Sequence, residues 1–89
     1  MQRADAVIVK KLGLHARPSA KITQLASKFK SEVWMSKGAR RINAKSIMGV
    51  MMLAAAKGTT IGVEASGPDE AEAVAALVEL IANGFGEET

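Results

Sequence analysis

Hydrophobic and polar residues follow two different rhythms along the chain, and the changes of rhythm mark its elements. Ala4-Asp5-Ala6-Val7-Ile8-Val9 is short, rich in β-branched side chains and closed by Lys10-Lys11-Leu12-Gly13, which predicts a strand buried on at least one face. After Gly13 the apolar positions are Leu14, Pro18, Ile22, Leu25, Ala26 and Phe29, with Arg17, Ser19, Lys21, Gln24 and Lys28 between them. That three-to-four spacing predicts an amphipathic helix. Pro18 fits only the first turn, where its missing N–H removes no helical hydrogen bond, so His15, Ala16 and Arg17 fall at the helix N-terminus. Glu32-Val33-Trp34-Met35-Ser36 and Arg40-Arg41-Ile42-Asn43 flank Lys37-Gly38-Ala39, and a glycine-containing connection of that length predicts a β-hairpin.

Ser46 then precedes Ile47, Val50, Met51 and Ala54, which share one face of a short helix, with Gly58 as its expected stop. Thr60-Ile61-Gly62-Val63-Glu64-Ala65-Ser66 alternates cleanly up to Gly67-Pro68 and predicts a strand with one solvated face. From Asp69 the chain offers a capping-box-like Asp69/Glu72 pair and an apolar stripe of Ala71, Val74, Val78 and Ile81, which ends at Asn83-Gly84. The order β-α-β-β-α-β-α predicts an α+β fold. Its form is an open-faced two-layer sandwich, in which a mostly antiparallel four-stranded sheet carries three helices on one face. With no linker-like tract or internal repeat in 89 residues, residues 1–89 read as one domain.

Composition narrows the function classes. With 48% hydrophobic and 24% charged residues the chain has the make-up of an ordinary globule, and the lack of cysteine excludes disulfides and thiolate metal sites. The longest strongly apolar stretch, residues 47–56, is ten residues long and contains Gly49; a spanning helix needs about 20. No membrane insertion is therefore expected, and without a signal-peptide core at the N-terminus the expected address is the cytoplasm. The net charge of +3 hides a segregation: all twelve Lys and Arg lie at or before Lys57, opposed there only by Asp5 and Glu32, whereas residues 58–89 hold seven acids and no base. A basic patch of this kind attracts an acidic or phosphate-bearing partner.

His15 is the only histidine, and Tyr is absent along with Cys. Most catalytic constellations and any metal site therefore lack their ligands, and no cofactor is implied. What remains is one imidazole at a helix N-terminus, beside unpaired backbone N–H groups and the positive end of the helix dipole, with Arg17 adding a fixed cation. Both influences favour a neutral, nucleophilic ring. The N–H groups of Ala16 and Arg17, with the Arg17 guanidinium, are a cradle for an anion delivered to that ring. The chemistry is that of a phosphoryl-accepting histidine.

Gly13-Leu14-His15-Ala16-Arg17-Pro18, followed by Ser19-Ala20-Lys21, closely resembles the active-site signature of the HPr family, the histidine-containing phosphocarriers of the bacterial phosphoenolpyruvate-dependent phosphotransferase system. Asn43-Ala44-Lys45-Ser46-Ile47-Met48-Gly49-Val50-Met51-Met52-Leu53 is similar to the family's regulatory serine segment. Length, element order and the spacing of the two motifs also match. The resemblance implies that His15 is phosphorylated on Nδ1 by enzyme I and passes the group to enzyme IIA domains for sugar uptake and its regulation, with Arg17 as phosphate partner. It implies an HPr kinase/phosphorylase acting on Ser46, and it adds Ala20, Gln24 and Ser27 of the first helix to a docking face. Lys10-Lys11-Leu12 and the ending Asn83-Gly84-Phe85-Gly86-Glu87-Glu88 look like proteobacterial members, including the nitrogen-branch paralogues called NPr. A nitrogen-branch carrier with regulatory acceptors is therefore the alternative.

Ile47, Met48, Met51 and Met52 lie on a helix that can bury only one face, so part of this apolar surface is a candidate partner interface. Ile47 and Met51 share the stripe of Val50 and Ala54 and are expected in the core; Met48 and Met52 lie off it and suit a surface that docks several partners in turn. By position Ser46 is a helix N-cap. Trp34 is expected as partly buried sheet packing, and Lys37, Arg40 and Arg41 as a solvated turn. A small nucleic-acid-binding module is the rival class. It lacks stacking residues, having two Phe and one Trp with none interleaved among the bases. The expected working form is a monomer.

Overall fold

A computed structural model of the protein describes residues 1–9, 16–53 and 55–86. The elements run β1 (Gln2–Val7), α1 (Ala16–Ala26), β2 (Glu32–Lys37), β3 (Arg40–Asn43), α2 (Ile47–Met52), β4 (Thr60–Ser66) and α3 (Glu70–Ala82), followed by one short 3₁₀ turn at Gly84–Gly86. The sheet has the order β1-β4-β2-β3, and each neighbouring pair is antiparallel. β1 lies two residues earlier than the apolar run suggests, because Ile8 leaves the ladder with β4 while keeping a 2.9 Å bond from its N–H to the Thr59 carbonyl.

Period-two alternation decides which face is covered. Ala6, Val33, Met35, Ile61, Val63 and Ala65 are buried on the helix side, where α1 contributes Pro18, Ile22 and Ala26 and α3 contributes Ala73, Val74, Leu77 and Ile81. Each fully buried aliphatic chain is worth about 1.5–3 kcal/mol, so this layer supplies the main driving force. The α3 stripe is rotated from the expected one: Ala71 is exposed and Val78 half-buried, while Ala73 and Leu77 face the core. So many alanines and other apolar residues occupy this helix that periodicity alone leaves its orientation loosely determined. Past its end Phe85 is buried with φ 64°, and its carbonyl accepts the Lys21 ammonium at 2.8 Å.

On the uncovered face Arg41 lies 4.1 Å from the centre of the Trp34 ring, and Glu64 accepts from Arg3 at 3.1 Å and from Arg41 at 3.4 Å. Arg41 is thus part of a charged ladder across the strands, not a solvated turn residue. Trp34 is half-buried beneath it, as expected for sheet packing.

The Asp69/Glu72 capping box does not form. Asp69 makes no side-chain cap of α3; its carboxylate accepts from the backbone N–H groups of Lys30 and Ser31, each at 2.9 Å, and from the Ser31 hydroxyl at 2.6 Å. The loop after α1 offers three donors that a lone helix N-terminus cannot match, and Glu70 takes the turn instead by accepting from the Gly67 N–H at 3.1 Å. Gly67, at φ 151°, is required here, since a Cβ would stand 2.7 Å from the Ser31 Cα. These donors, with the Ser31 hydroxyl foremost, lower the Asp69 pKa from 3.8 to about 2. A depressed carboxylate pKa contributes stability that is present above pH 3.8 and lost as pH falls through about 2. An Asp69→Asn variant is therefore expected to melt several degrees below the wild type at neutral pH. In thermal melts taken across pH 7 to 2 the gap should narrow only below about pH 4; a gap that is unchanged at the acid end would contradict this role.

Candidate functional site

The site begins at the first turn of α1. Pro18 stands third in the helix, where it forgoes no intrahelical bond, and its buried ring seats this turn on the core. Ala16 and Arg17 precede it, and both are exposed. The helix carries no acidic residue in its first turn, where the cation of Arg17 adds to the positive end of the helix dipole. His15 lies outside the described residues, directly before Ala16 in the chain.

α1 packs against α2, which brings the second motif alongside the first. Ser46 caps α2: it is extended (φ −105°, ψ 115°), and its Oγ accepts the Gly49 N–H at 3.1 Å. Its side chain remains exposed, so the cap and a chemically accessible hydroxyl coexist. The approach to the cap is braced by the Lys45 ammonium, which donates to the Phe29 carbonyl at 2.9 Å, and by the Asn43 side chain, which accepts the Lys45 N–H at 2.8 Å.

α2 differs from expectation in length and in the face it buries. It ends at Met52 with Leu53 as C-cap, well before Gly58, which lies in the turn ahead of β4 and gives its N–H to the Ile8 carbonyl at 2.8 Å. Within it Val50 alone is buried. Ile47 and Met51 are 40% and 38% exposed, against 66% for Met48 and 58% for Met52. The expectation that Ile47 and Met51 belong to the core is thus corrected, since a six-residue helix lying on the sheet edge and α1 has room to seat one side chain. All four, on α2, lie beside α1 with its exposed Gln24 and half-buried Ala20, and with Ser27, which is exposed in the turn just past the end of α1 rather than on the helix.

Lys37 and Arg40, expected in a solvated turn, reach back to this helix. Arg40 Nη1 donates to the Met52 carbonyl at 2.6 Å and Lys37 Nζ to the Leu53 carbonyl at 3.3 Å. The signal that would have revealed them is strand parity, because residues 37 and 40 share the helix-facing side of the hairpin with Met35 and Ile42. Among the described residues no group of acidic, His or Cys side chains is placed to hold a metal ion, and no helix is long and apolar enough to cross a membrane.

Residues 2–83 match the family model for the HPr component of the phosphotransferase system, described by its phosphorylation site. The chain belongs to the HPr family. It is 61% identical over 87 residues to the phosphocarrier protein HPr of Cupriavidus necator, covering 98% of both chains. To the HPr of Xylella fastidiosa it is 51% identical over 89 residues, covering 100% of both. The crystal structure of an HPr from Thermoanaerobacter tengcongensis superposes over 100% of both chains with a TM-score of 0.94 at 48% identity. Membership in the HPr family makes the chain a phosphocarrier of the phosphotransferase system, and the open antiparallel sheet with three helices is the HPr fold.

Proposed function

We propose that His15 accepts a phosphoryl group from enzyme I, which draws it from phosphoenolpyruvate, and delivers it to enzyme IIA domains for sugar uptake and its regulation. The observation that carries this reading is the α1 N-terminus, with Arg17 in its first turn and no acid there, set against the exposed apolar residues of α2. In the transfer the Nδ1 lone pair forms the bond to phosphorus as the bond to the donor breaks, and the donor keeps the electron pair. The N–H groups of Ala16 and Arg17 and the Arg17 guanidinium hold the phosphoryl oxygens. The same steps run in reverse order of partner when an acceptor docks, so the protein is a transient phosphohistidine intermediate and not an enzyme. Tight holding would stall release, so the cradle is partial by design of its chemistry.

Docking uses Ala20 and Gln24 of α1 and Ser27 just past its end, with Ile47, Met48, Met51 and Met52 of α2. Flexible thioethers adapt to successive partners. The basic residues that precede Lys57 in the chain fit partners with an acidic rim, which gives fast and weak association by one protomer acting alone in the cytoplasm. Raising ionic strength to about 0.5 M is expected to slow phosphotransfer through encounter, because charges beyond a few ångströms are then screened. Met48→Glu should slow it by about 10- to 100-fold by placing a charge in a desolvated contact. Rapid-quench transfer kinetics read both; a rate indifferent to salt and to Met48→Glu would place the docking face elsewhere.

A further inference from the structure

We propose that Arg40 and Lys37 are positioning residues for α2, side chains of the β2–β3 hairpin that hold its C-terminal turn and thereby fix the apolar patch presented to partners. The proposal rests on the docking reading above and adds residues outside both motifs. α2 has six residues, too few to hold its shape unaided, and it buries only Val50. Its first turn is held by the Ser46 cap. Its last turn contains no basic residue, so the carbonyls of Met52 and Leu53, at the negative end of the helix, find their cations in a distant part of the sequence. Lys37 and Arg40 are the terminal ladder pair of the hairpin. They reach those two carbonyls from one rigid support, at 3.3 and 2.6 Å.

The four apolar side chains offered to partners, Ile47, Met48, Met51 and Met52, all belong to this one helix. A loosened last turn would let Met51 and Met52 wander, and each partner would have to order them on binding. Charge steering alone makes a different claim, because a cation that only attracts acidic partners loses its effect in salt and is replaced by any other cation.

Two measurements separate these. Amide hydrogen exchange on the isolated protein should show Val50 and Leu53 exchanging at least about tenfold faster in Arg40→Ala, with Arg40→Lys between it and the wild type and β4 amides unchanged. In transfer from enzyme I at about 0.5 M salt, Arg40→Ala should still raise KM several-fold with kcat within about twofold. Unchanged exchange would overturn the clamp. A defect that vanishes in salt and is fully restored by lysine would reduce Arg40 to steering and overturn its positioning role. If Met48→Glu transfers at the wild-type rate, the docking reading itself fails and this role falls with it, whereas the exchange data report on the clamp independently.

Discussion

A His15→Ala variant is expected to take up no acid-labile phosphate from phosphoenolpyruvate and enzyme I, with a thermal unfolding curve close to that of the wild type. The core is assembled from the strands and from Ile22, Ala26, Val50, Leu77, Ile81 and Phe85. The loss should be complete, because the chain has no second histidine and no cysteine to take over as nucleophile. Arg17→Ala is expected to keep the reaction but slow it by about 10²-fold, the usual consequence of removing one preorganised donor to a charged group in transfer. Arg17→Lys should recover part of that rate only, since an ammonium lacks the forked geometry of the guanidinium. Radiolabel uptake and acid lability measure all three variants; an acid-labile label retained on His15→Ala would refute the assignment of the acceptor.

Ser46→Asp is expected to melt at or above the wild-type temperature and to accept phosphate from enzyme I about 10- to 100-fold more slowly. The two effects have separate origins. At the N-cap an aspartate keeps an acceptor for the Gly49 N–H, now bonded at 3.1 Å, and adds negative charge where the helix dipole favours it. On the docking face the same charge stands next to Ile47 and Met48, both exposed, where it repels acidic partners and must be desolvated. A phosphate, with about −1.5 to −2 charges, should have the larger effect in both directions. Melting curves and initial transfer rates decide the matter: a wild-type rate would leave Ser46 as a cap without a regulatory role.

How legible the molecule was from its sequence varied with what each residue had to decide. The strands and α1 were readable because alternation in β4 and the Ile22–Ala26 spacing leave one arrangement of apolar faces, and Pro18 pins the first turn. Ser46 was readable as a cap for the same local reason. The failures came where tertiary partners outbid local ones. Asp69 looked like the cap of α3, yet the loop at Lys30 and Ser31 supplied more donors. Gly58 looked like the stop of α2, yet the helix ends at Met52, with Leu53 as its C-cap and Arg40 on the Met52 carbonyl. Ile47 and Met51 looked like core, since a hydrophobic stripe does not state how much of it the neighbouring elements have room to cover. The site itself was carried by a motif, and its supporting contacts from Lys37, Arg40 and Lys45 bridge strands and helices whose juxtaposition no local pattern encodes.

The claim on which the rest depends is the identity of the atom that carries the phosphoryl group. Protein labelled with ¹⁵N histidine, incubated with phosphoenolpyruvate and enzyme I and observed by ³¹P and ¹⁵N NMR, tests it directly. One phosphoryl resonance coupled to the Nδ1 of His15 is expected, which disappears on acidification and on addition of an enzyme IIA domain. A phosphoryl resonance without coupling to the imidazole, or one that survives acid, would contradict it.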